Sequence, residues 1–294
     1  MSKFINRLVL GTVQFGMDYG INNERGKIPV NEVLNILKLA KENGINTIDT
    51  AYGYGESEQI LGNIFNSQND LCFNIISKFP KTNDASTING CFHKSKEKLK
   101  TKKLFGYLAH DTDSIIQNPT LWDEVIKLKQ KQLVKKIGIS VYFPRQAEWF
   151  LERNLPFDII QLPYNILDNR FLYLFEELKI KNVEIHVRSV FLQGLFYKSI
   201  NTLSTHFDSI KGKLIKLNEI ANSNNIPMNS LLLCYVLLNL NVEKVVIGID
   251  SINNLKDNIK ALEWIDKVST IRSILEDFYI DDENILLPFN WIKP

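Results

Sequence analysis

Cysteine is scarce in this chain. Cys72, Cys91 and Cys234 are the only three; they lie far apart and form no C-x-x-C pair. An odd, scattered set argues against a disulfide framework and against a zinc cluster, and it suits a reducing, cytoplasmic setting. Long apolar runs are also missing: Leu231–Leu238 is the longest, well short of the ~20 residues a membrane span needs, and it reads as a buried helix. No basic segment followed by an apolar stretch opens the chain, so no secretory signal is expected. The formal charge is only +2, with lysines scattered and no dense basic run, which gives no reason to expect a nucleic-acid partner. A dinucleotide fingerprint G-x-G-x-x-G is absent too. Gly53-Tyr54-Gly55 begins like one, but Glu58 stands at the sixth position.

What the chain does have is alternation. At 294 residues with 45% hydrophobic content, it can bury a large core as one α/β barrel or as two smaller domains. Short β-branched or aromatic runs, of the kind found in sheets buried on both faces, occur at Leu8–Thr12, Thr47–Asp49, Asn74–Ser77, Gly106–Ala109, Lys136–Ser140, Asp158–Gln161, Glu184–Val187 and Lys244–Ile247. Helical patterns separate them: Val33, Ile36, Leu37 and Ala40 share one face of the first, and Leu214, Leu217, Ile220 and Ala221 one face of a late one. Eight βα units closing into a (β/α)8 TIM barrel is the economical reading. A doubly wound sheet would place a glycine fingerprint at its first turn, and Leu10–Gly16 does not match it. With no linker, low-complexity segment or composition break, a single domain over 1–294 is expected.

In such a barrel, function sits at the C-terminal ends of the strands, and three successive ends here carry titratable groups. Asn46–Glu58 delivers Asp49 and then Tyr52 and Tyr54 into a glycine-rich turn. Phe73–Lys78 closes on Lys78, and Leu104–His110 closes on His110. Singly, each has an ordinary explanation: Asp49 as a helix cap, Lys78 as a solvated charge, His110 as a hydrogen-bonded core group. Together, a phenol, an ammonium, a carboxylate and an imidazole make a general acid aimed at a developing alkoxide, because a nearby cation can make a tyrosine a better acid. A carbonyl reductase needs such an acid, with the hydride supplied by a cofactor. Tyr52 and Tyr54 compete for the phenol role.

Through Asp49–Gly62, Ser77-Lys78 and His110 the chain resembles the aldo-keto reductase family, over about Leu8 to Leu262. The resemblance implies Tyr54 as proton donor, Asp49 and Lys78 as its tuning pair, and His110 as the group that orients substrate; no metal is required. It implies nicotinamide contacts from Ser140 and Gln161. Val141 stands where many members have asparagine, so one carboxamide contact is expected to be lost or replaced. Arg188 stands where the family commonly has an aromatic residue stacked on the nicotinamide, and a guanidinium plane can also stack. Gly248, Ser251, Asp257 and Asn258 fall on the family's adenosine-binding strand, loop and helix, a helix N-terminus suiting a phosphate. The family favours NADP(H); Asp250, which would repel a 2′-phosphate, keeps NAD(H) as a rival.

Phe15, Tyr52, Phe79 and Phe191 are expected pocket walls, together with Met17 and Tyr19, and Arg188, Asp111 and Gln193 add polarity that suits a sugar or sugar derivative. The expected partner is a small carbonyl compound. Two rival readings stay open at this point: a nicotinamide-binding regulatory or partner-binding protein with little turnover, and a redox-assisted sugar isomerase that retains its cofactor.

Overall fold

The computed structural model describes residues 2–21, 23, 25–68 and 70–291. Positions 1, 22, 24, 69 and 292–294 of the expected 1–294 domain lie outside the described residues. Eight strands, β1 (Leu8–Gly11), β2 (Thr47–Asp49), β3 (Asn74–Phe79), β4 (Leu104–Ala109), β5 (Val134–Ser140), β6 (Ile159–Pro163), β7 (Glu184–Arg188) and β8 (Val242–Gly248), follow one another in space as in sequence. Every neighbouring pair is parallel, and β8 returns to β1 with Leu10 opposite Ile247. The sheet is therefore a closed barrel, and no edge is left to pair elsewhere. Closure rules out the doubly wound alternative.

The apolar runs form strands because both of their faces are covered. Side chains alternate along a strand, so each run feeds two cores. Ile76, Leu108 and Ile159, with Phe105 beside them, fill the barrel interior as a small cluster of their own. Ile75, Phe79, Tyr107 and Ala109 face the other way, into the large core beneath the helices. Lys78 follows Ile76 by two residues and so belongs to the interior set.

Six strands, β3 to β8, run one or two residues beyond the expected runs, and at two ends the strand stops one residue short. Asp158 lies just before β6, where its backbone bonds Ile137 and Glu184 at 2.8 Å each and its carboxylate accepts from the Ile137 N–H (2.9 Å) and from Lys129 Nζ (2.6 Å). Thr12 lies just beyond β1, where its N–H and its hydroxyl both donate to the Asp49 carbonyl, each at 3.0 Å.

The outer helices bury the stripes their sequences present. Val30–Glu42 buries Val33, Ile36, Leu37 and Ala40. Asp208–Ser223 buries Ile210, Leu214, Leu217 and Ala221, with Ile220 only half-buried at the edge of the stripe. The apolar run at Leu231–Leu238 falls mostly in the helix Met228–Leu237, which is buried nearly all round. Among the described residues no helix is long and apolar enough to cross a membrane.

Packing distinguishes two helical glycines. A Cβ on Gly62, in the helix Ser57–Ser67, would fall 2.0 Å from the Lys98 carbonyl oxygen, whereas one on Gly90, in the helix Ala85–Lys98, would meet nothing within 4 Å. Intrinsic propensity alone favours alanine over glycine by about 1 kcal/mol. Gly90→Ala is therefore expected to stabilise the fold by up to that amount. Gly62→Ala is expected to destabilise it by about 1–3 kcal/mol through overpacking. Urea denaturation of the two variants checks the opposite signs.

Candidate active site

Four of the expected groups converge at the C-terminal mouth of the barrel. Asp49 ends β2, and Lys78 stands one residue before the end of β3; both side chains are buried, at 3% and 0% exposure. Lys78 Nζ forms an ion pair with Asp49 Oδ1 and donates to the Thr50 carbonyl at 3.1 Å. The second carboxylate oxygen of Asp49 accepts from Gln161 Nε2 at 2.8 Å. An ammonium and a carboxylate are tolerated in such an interior only when they are paired and their remaining sites hydrogen-bonded, and this arrangement supplies both conditions. Burial draws the Lys78 pKa below its ordinary value, and the Asp49 charge opposes the shift.

Above the pair lies the Tyr54 ring, its centroid 5.1 Å from Lys78 Nζ. The loop that carries Tyr54 is fastened to the end of β1. Thr12 Oγ1 donates to the Asp49 carbonyl at 3.0 Å, Ser57 Oγ donates to Thr12 Oγ1 at 2.8 Å, and Thr50 Oγ1 lies 3.1 Å from Ser57 Oγ. Gly16 and Gly55 interlock beside this chain of hydroxyls: a Cβ on Gly16 would strike the Tyr54 carbonyl at 1.9 Å, and one on Gly55 the Gly16 carbonyl at 2.5 Å. Gly55 also has φ +55°, a left-handed conformation natural to glycine. The glycines of the motif thus bring two backbones together and bind no phosphate.

His110 follows β4 and meets the Tyr54 ring edge-on, with centroids 5.6 Å apart and planes at 81°. Burial, with the charges of Lys78 and Arg188 adding to it, pushes its pKa down to about 3, so at neutral pH the ring is an uncharged imidazole with one N–H to donate. The Tyr54 phenol is raised above its ordinary value, first by burial and then by the Asp49 charge, against a lowering by Arg188. The expected net acidification by Lys78 is therefore not the balance in this state. A raised phenol keeps its proton at neutral pH and releases it only to a strong base, which is what an alkoxide is.

The mouth opens into a cavity of about 420 Å³ lined by Asp49, Tyr54, His110, Gln161, Arg188, Phe191 and Gly248, and by several groups that the sequence did not single out. Gln14 and Tyr142 are among these, and Asp250 and Asn254, beside the start of the helix Ile252–Lys260, line it as well. Gln14 Oε1 is buried with no hydrogen-bond partner among the described residues. Its amide nitrogen lies 3.3 Å from where a Gly248 Cβ would be. An unsatisfied buried acceptor beside a wall kept open by glycine fits an extended polar ligand with N–H or O–H groups, as a nicotinamide dinucleotide is.

Other expected contacts lie elsewhere. Phe15 is fully buried in the outer core, and Phe79, also fully buried, packs on Tyr107 at 5.3 Å; neither walls the cavity. Phe79 follows the inward-pointing Lys78, so alternation turns it outward, a signal present in the sequence. Tyr52 lies under Lys98, whose Nζ is 4.6 Å from its ring, and is not a wall either.

Ser140 is buried and does not reach the lining, and Gln161, which does, spends its amide on Asp49. Ser251 caps the helix Ile252–Lys260 by accepting from the Asn254 N–H at 3.1 Å. Asp257 is exposed, Asn258 is buried and donates to Asn254 Oδ1 at 3.3 Å, and neither lines the cavity; Asn254 presents that helix to it. Arg188 Cζ lies 4.1 Å from the Tyr142 ring centroid. Of the other pocket candidates, Tyr19 and Gln193 line the cavity and bond each other at 3.0 Å, whereas Met17 and Asp111 do not line it.

A closed parallel barrel with an aspartate, a lysine, a tyrosine and a histidine at its C-terminal mouth defines a class of reductases, and the comparisons agree. Residues 7–276 match the model of the Aldo/keto reductase family, and the chain belongs to that family. It is similar to a chloroplastic pyridoxal reductase of Arabidopsis thaliana, with 26% identity over 271 residues covering 77% of this chain and 71% of the relative. It is also similar to the uncharacterized oxidoreductase YqkF of Bacillus subtilis, with 26% identity over 261 residues, 79% of this chain and 82% of that protein. Among solved structures, the holo form of the aldo-keto reductase AKR11C1 from Bacillus halodurans superposes with a TM-score of 0.76 at 22% identity, covering 94% and 93% of the two chains. The protein is an NAD(P)H-dependent oxidoreductase that acts on small carbonyl compounds.

The depressed His110 pKa has a consequence for stability. The folded ring stays neutral down to about pH 3, while an unfolded histidine protonates near 6.5. The unfolded chain binds the extra proton in that window, so stability falls as pH drops from about 6.5 toward 3. Burial lowers His186 in the same direction, and Glu184, held down to about 2 beside His186 and Lys136, adds to the loss at more acidic pH. His110→Gln is expected to reduce the slope of stability against pH between about 6.5 and 5, above most carboxylate titration. Urea midpoints across that range check it, and an unchanged slope would show that the ring is not held neutral.

Proposed function

We propose that the protein reduces an aldehyde or ketone, in particular a sugar or sugar derivative, to the alcohol by direct hydride transfer, with Tyr54 as general acid. The observation that carries this reading is the buried Lys78–Asp49 pair directly beneath the Tyr54 ring, with a neutral His110 beside it. The nicotinamide cofactor, when bound, supplies the hydride. His110 donates its N–H to the substrate carbonyl oxygen and so fixes which oxygen faces the acid. As negative charge grows on that oxygen, Tyr54 gives up its phenolic proton to it, and the Lys78 ammonium stabilises the resulting phenolate at short range. Asp49 keeps Lys78 in position and charged despite its burial.

For the cofactor, Gln14, Gly248 and Asn254 are the groups best placed along the cavity. NADP(H) is the preferred form on family resemblance. Asp250 in the lining opposes a 2′-phosphate and keeps NAD(H) in contention. Polar walls from Gln193, Tyr19 and Tyr142 support a hydroxylated substrate. By its name the Arabidopsis relative acts on pyridoxal, also an aldehyde. The scattered, odd cysteines support action in the cytoplasm.

Tyr54→Phe removes the acid and keeps the ring. It is expected to lower kcat/KM for carbonyl reduction by about 10²–10⁴-fold, while titration with NADPH and NADH, followed by tryptophan fluorescence, shows cofactor binding retained. Normal turnover in that variant would sink the mechanism.

A further inference from the structure

One charge at the mouth of the barrel is left without a counter-ion. Arg188, the last residue of β7, is half-buried in the cavity wall. Its guanidinium lies over the Tyr142 ring, donates to the Val141 carbonyl at 3.0 Å and reaches Ser189 Oγ at 3.4 Å. A guanidinium has five N–H groups, so these two bonds leave most of them for something else. Among the described residues no carboxylate lies within ion-pair distance of it. The fold treats Arg170 differently: that side chain, only 9% exposed, is paired with both Asp168 and Glu283.

Of the two acids in the lining, Asp49 is already engaged by Lys78 and Gln161. Arg188 ends the strand next to the one that carries Gln161 and shares the cavity lining with Asp49, Tyr54 and His110, which puts it at the reacting end. Asp250 and Asn254, by contrast, lie toward the helix Ile252–Lys260. A fixed, half-desolvated cation beside the place where a carbonyl must bind favours an anion there over water.

We propose that Arg188 anchors a carboxylate or phosphate group of the substrate, so that the enzyme prefers oxo acids or phosphorylated carbonyl compounds, acidic sugar derivatives included, over neutral ones. This rests on the reductase reading and narrows its substrate class. The stacking on Tyr142 holds the guanidinium plane, and the bond to Val141 fixes its rotation, so the free N–H groups are presented without a search among rotamers. The same charge adds to the stabilisation of the developing alkoxide.

The test uses a matched pair, 4-carboxybenzaldehyde and its methyl ester, with NADPH and with NADH, on wild type, Arg188→Gln and Arg188→Lys. The wild type is expected to favour the acid over the ester by about tenfold or more in kcat/KM, as a charged hydrogen-bonded contact allows. Arg188→Gln is expected to bring that ratio close to one, chiefly through a higher KM for the acid, and Arg188→Lys to restore part of it. Each ratio is internal to one variant, so a general loss of activity or of folded protein does not imitate the effect.

An acid-to-ester ratio near one in the wild type, or a ratio that survives Arg188→Gln, overturns the proposal. So does a variant that loses affinity for NADPH or NADH with the ratio intact, since the guanidinium would then serve the cofactor's phosphates. Fluorescence titration of both compounds onto the cofactor-loaded protein decides the matter independently of turnover. If neither compound is reduced with either cofactor, the reductase reading falls, while tighter binding of the acid that is lost in Arg188→Gln still upholds the anion site, and equal binding of acid and ester removes it.

Discussion

The mouth of this barrel is organised around an ion pair kept out of water. Lys78 and Asp49 meet above the apolar plug of Ile76, Leu108 and Ile159, where neither charge is tolerable alone. Removing one partner of such a pair typically costs about 3–5 kcal/mol because the other is left uncompensated. The rest of the site follows from satisfying it. The Thr50 carbonyl turns toward the ammonium, Gln161 crosses from β6 to cover the free carboxylate oxygen, and Tyr54 lies over the pair as its lid. The contacts reach from β2 to β3 and across to β6, so the arrangement exists only when the sheet has closed in register.

The family's pattern and this chain's departures from it meet in one place. Val141 and Arg188, the two positions at which the sequence resemblance implies a departure from the family's usual residues, are far apart in the sequence. In the fold the guanidinium of one donates to the carbonyl of the other, with Tyr142 packed against it and Phe289 edge-on to Tyr142 at 5.2 Å. The two positions are thus direct neighbours in the fold. The following segment is unusual as well: Ser189, Leu192, Gln193 and Gly194 all have positive φ. Three non-glycine residues in that region store strain of about 1–3 kcal/mol each, held in part by the Asn165 amide, which donates to the Ser189 carbonyl at 3.0 Å.

Much of this was legible in the sequence, and the remainder was hidden for physical reasons. All eight strands showed as short apolar runs, because a strand covered on both faces must be apolar throughout. Asp49, Lys78 and His110 could be placed at strand ends for the same reason, as polar groups that interrupt or close such runs. Strand alternation also held the means to turn Phe79 outward. Phe15, Tyr52 and the helix Ile252–Lys260 were different. Which way they face depends on how loops and helices settle on the finished barrel, and no local period encodes that. Gln14, Tyr142 and Asn254 are ordinary loop or helix residues until closure of the barrel brings them around one cavity. The bond from Gln161 to Asp49 spans 112 positions, beyond any local pattern.

The joint between Thr12, Ser57 and Thr50 couples the loop of Tyr54 to the strand that completes the cylinder. β1 is both the element that Tyr54's loop is tied to and the partner that β8 needs for closure. Opening the seam between the first and last strands would therefore unseat Tyr54, the proposed proton donor, without any separate melting of its loop. On the proposed role of Tyr54, catalytic competence would report on the integrity of the seam.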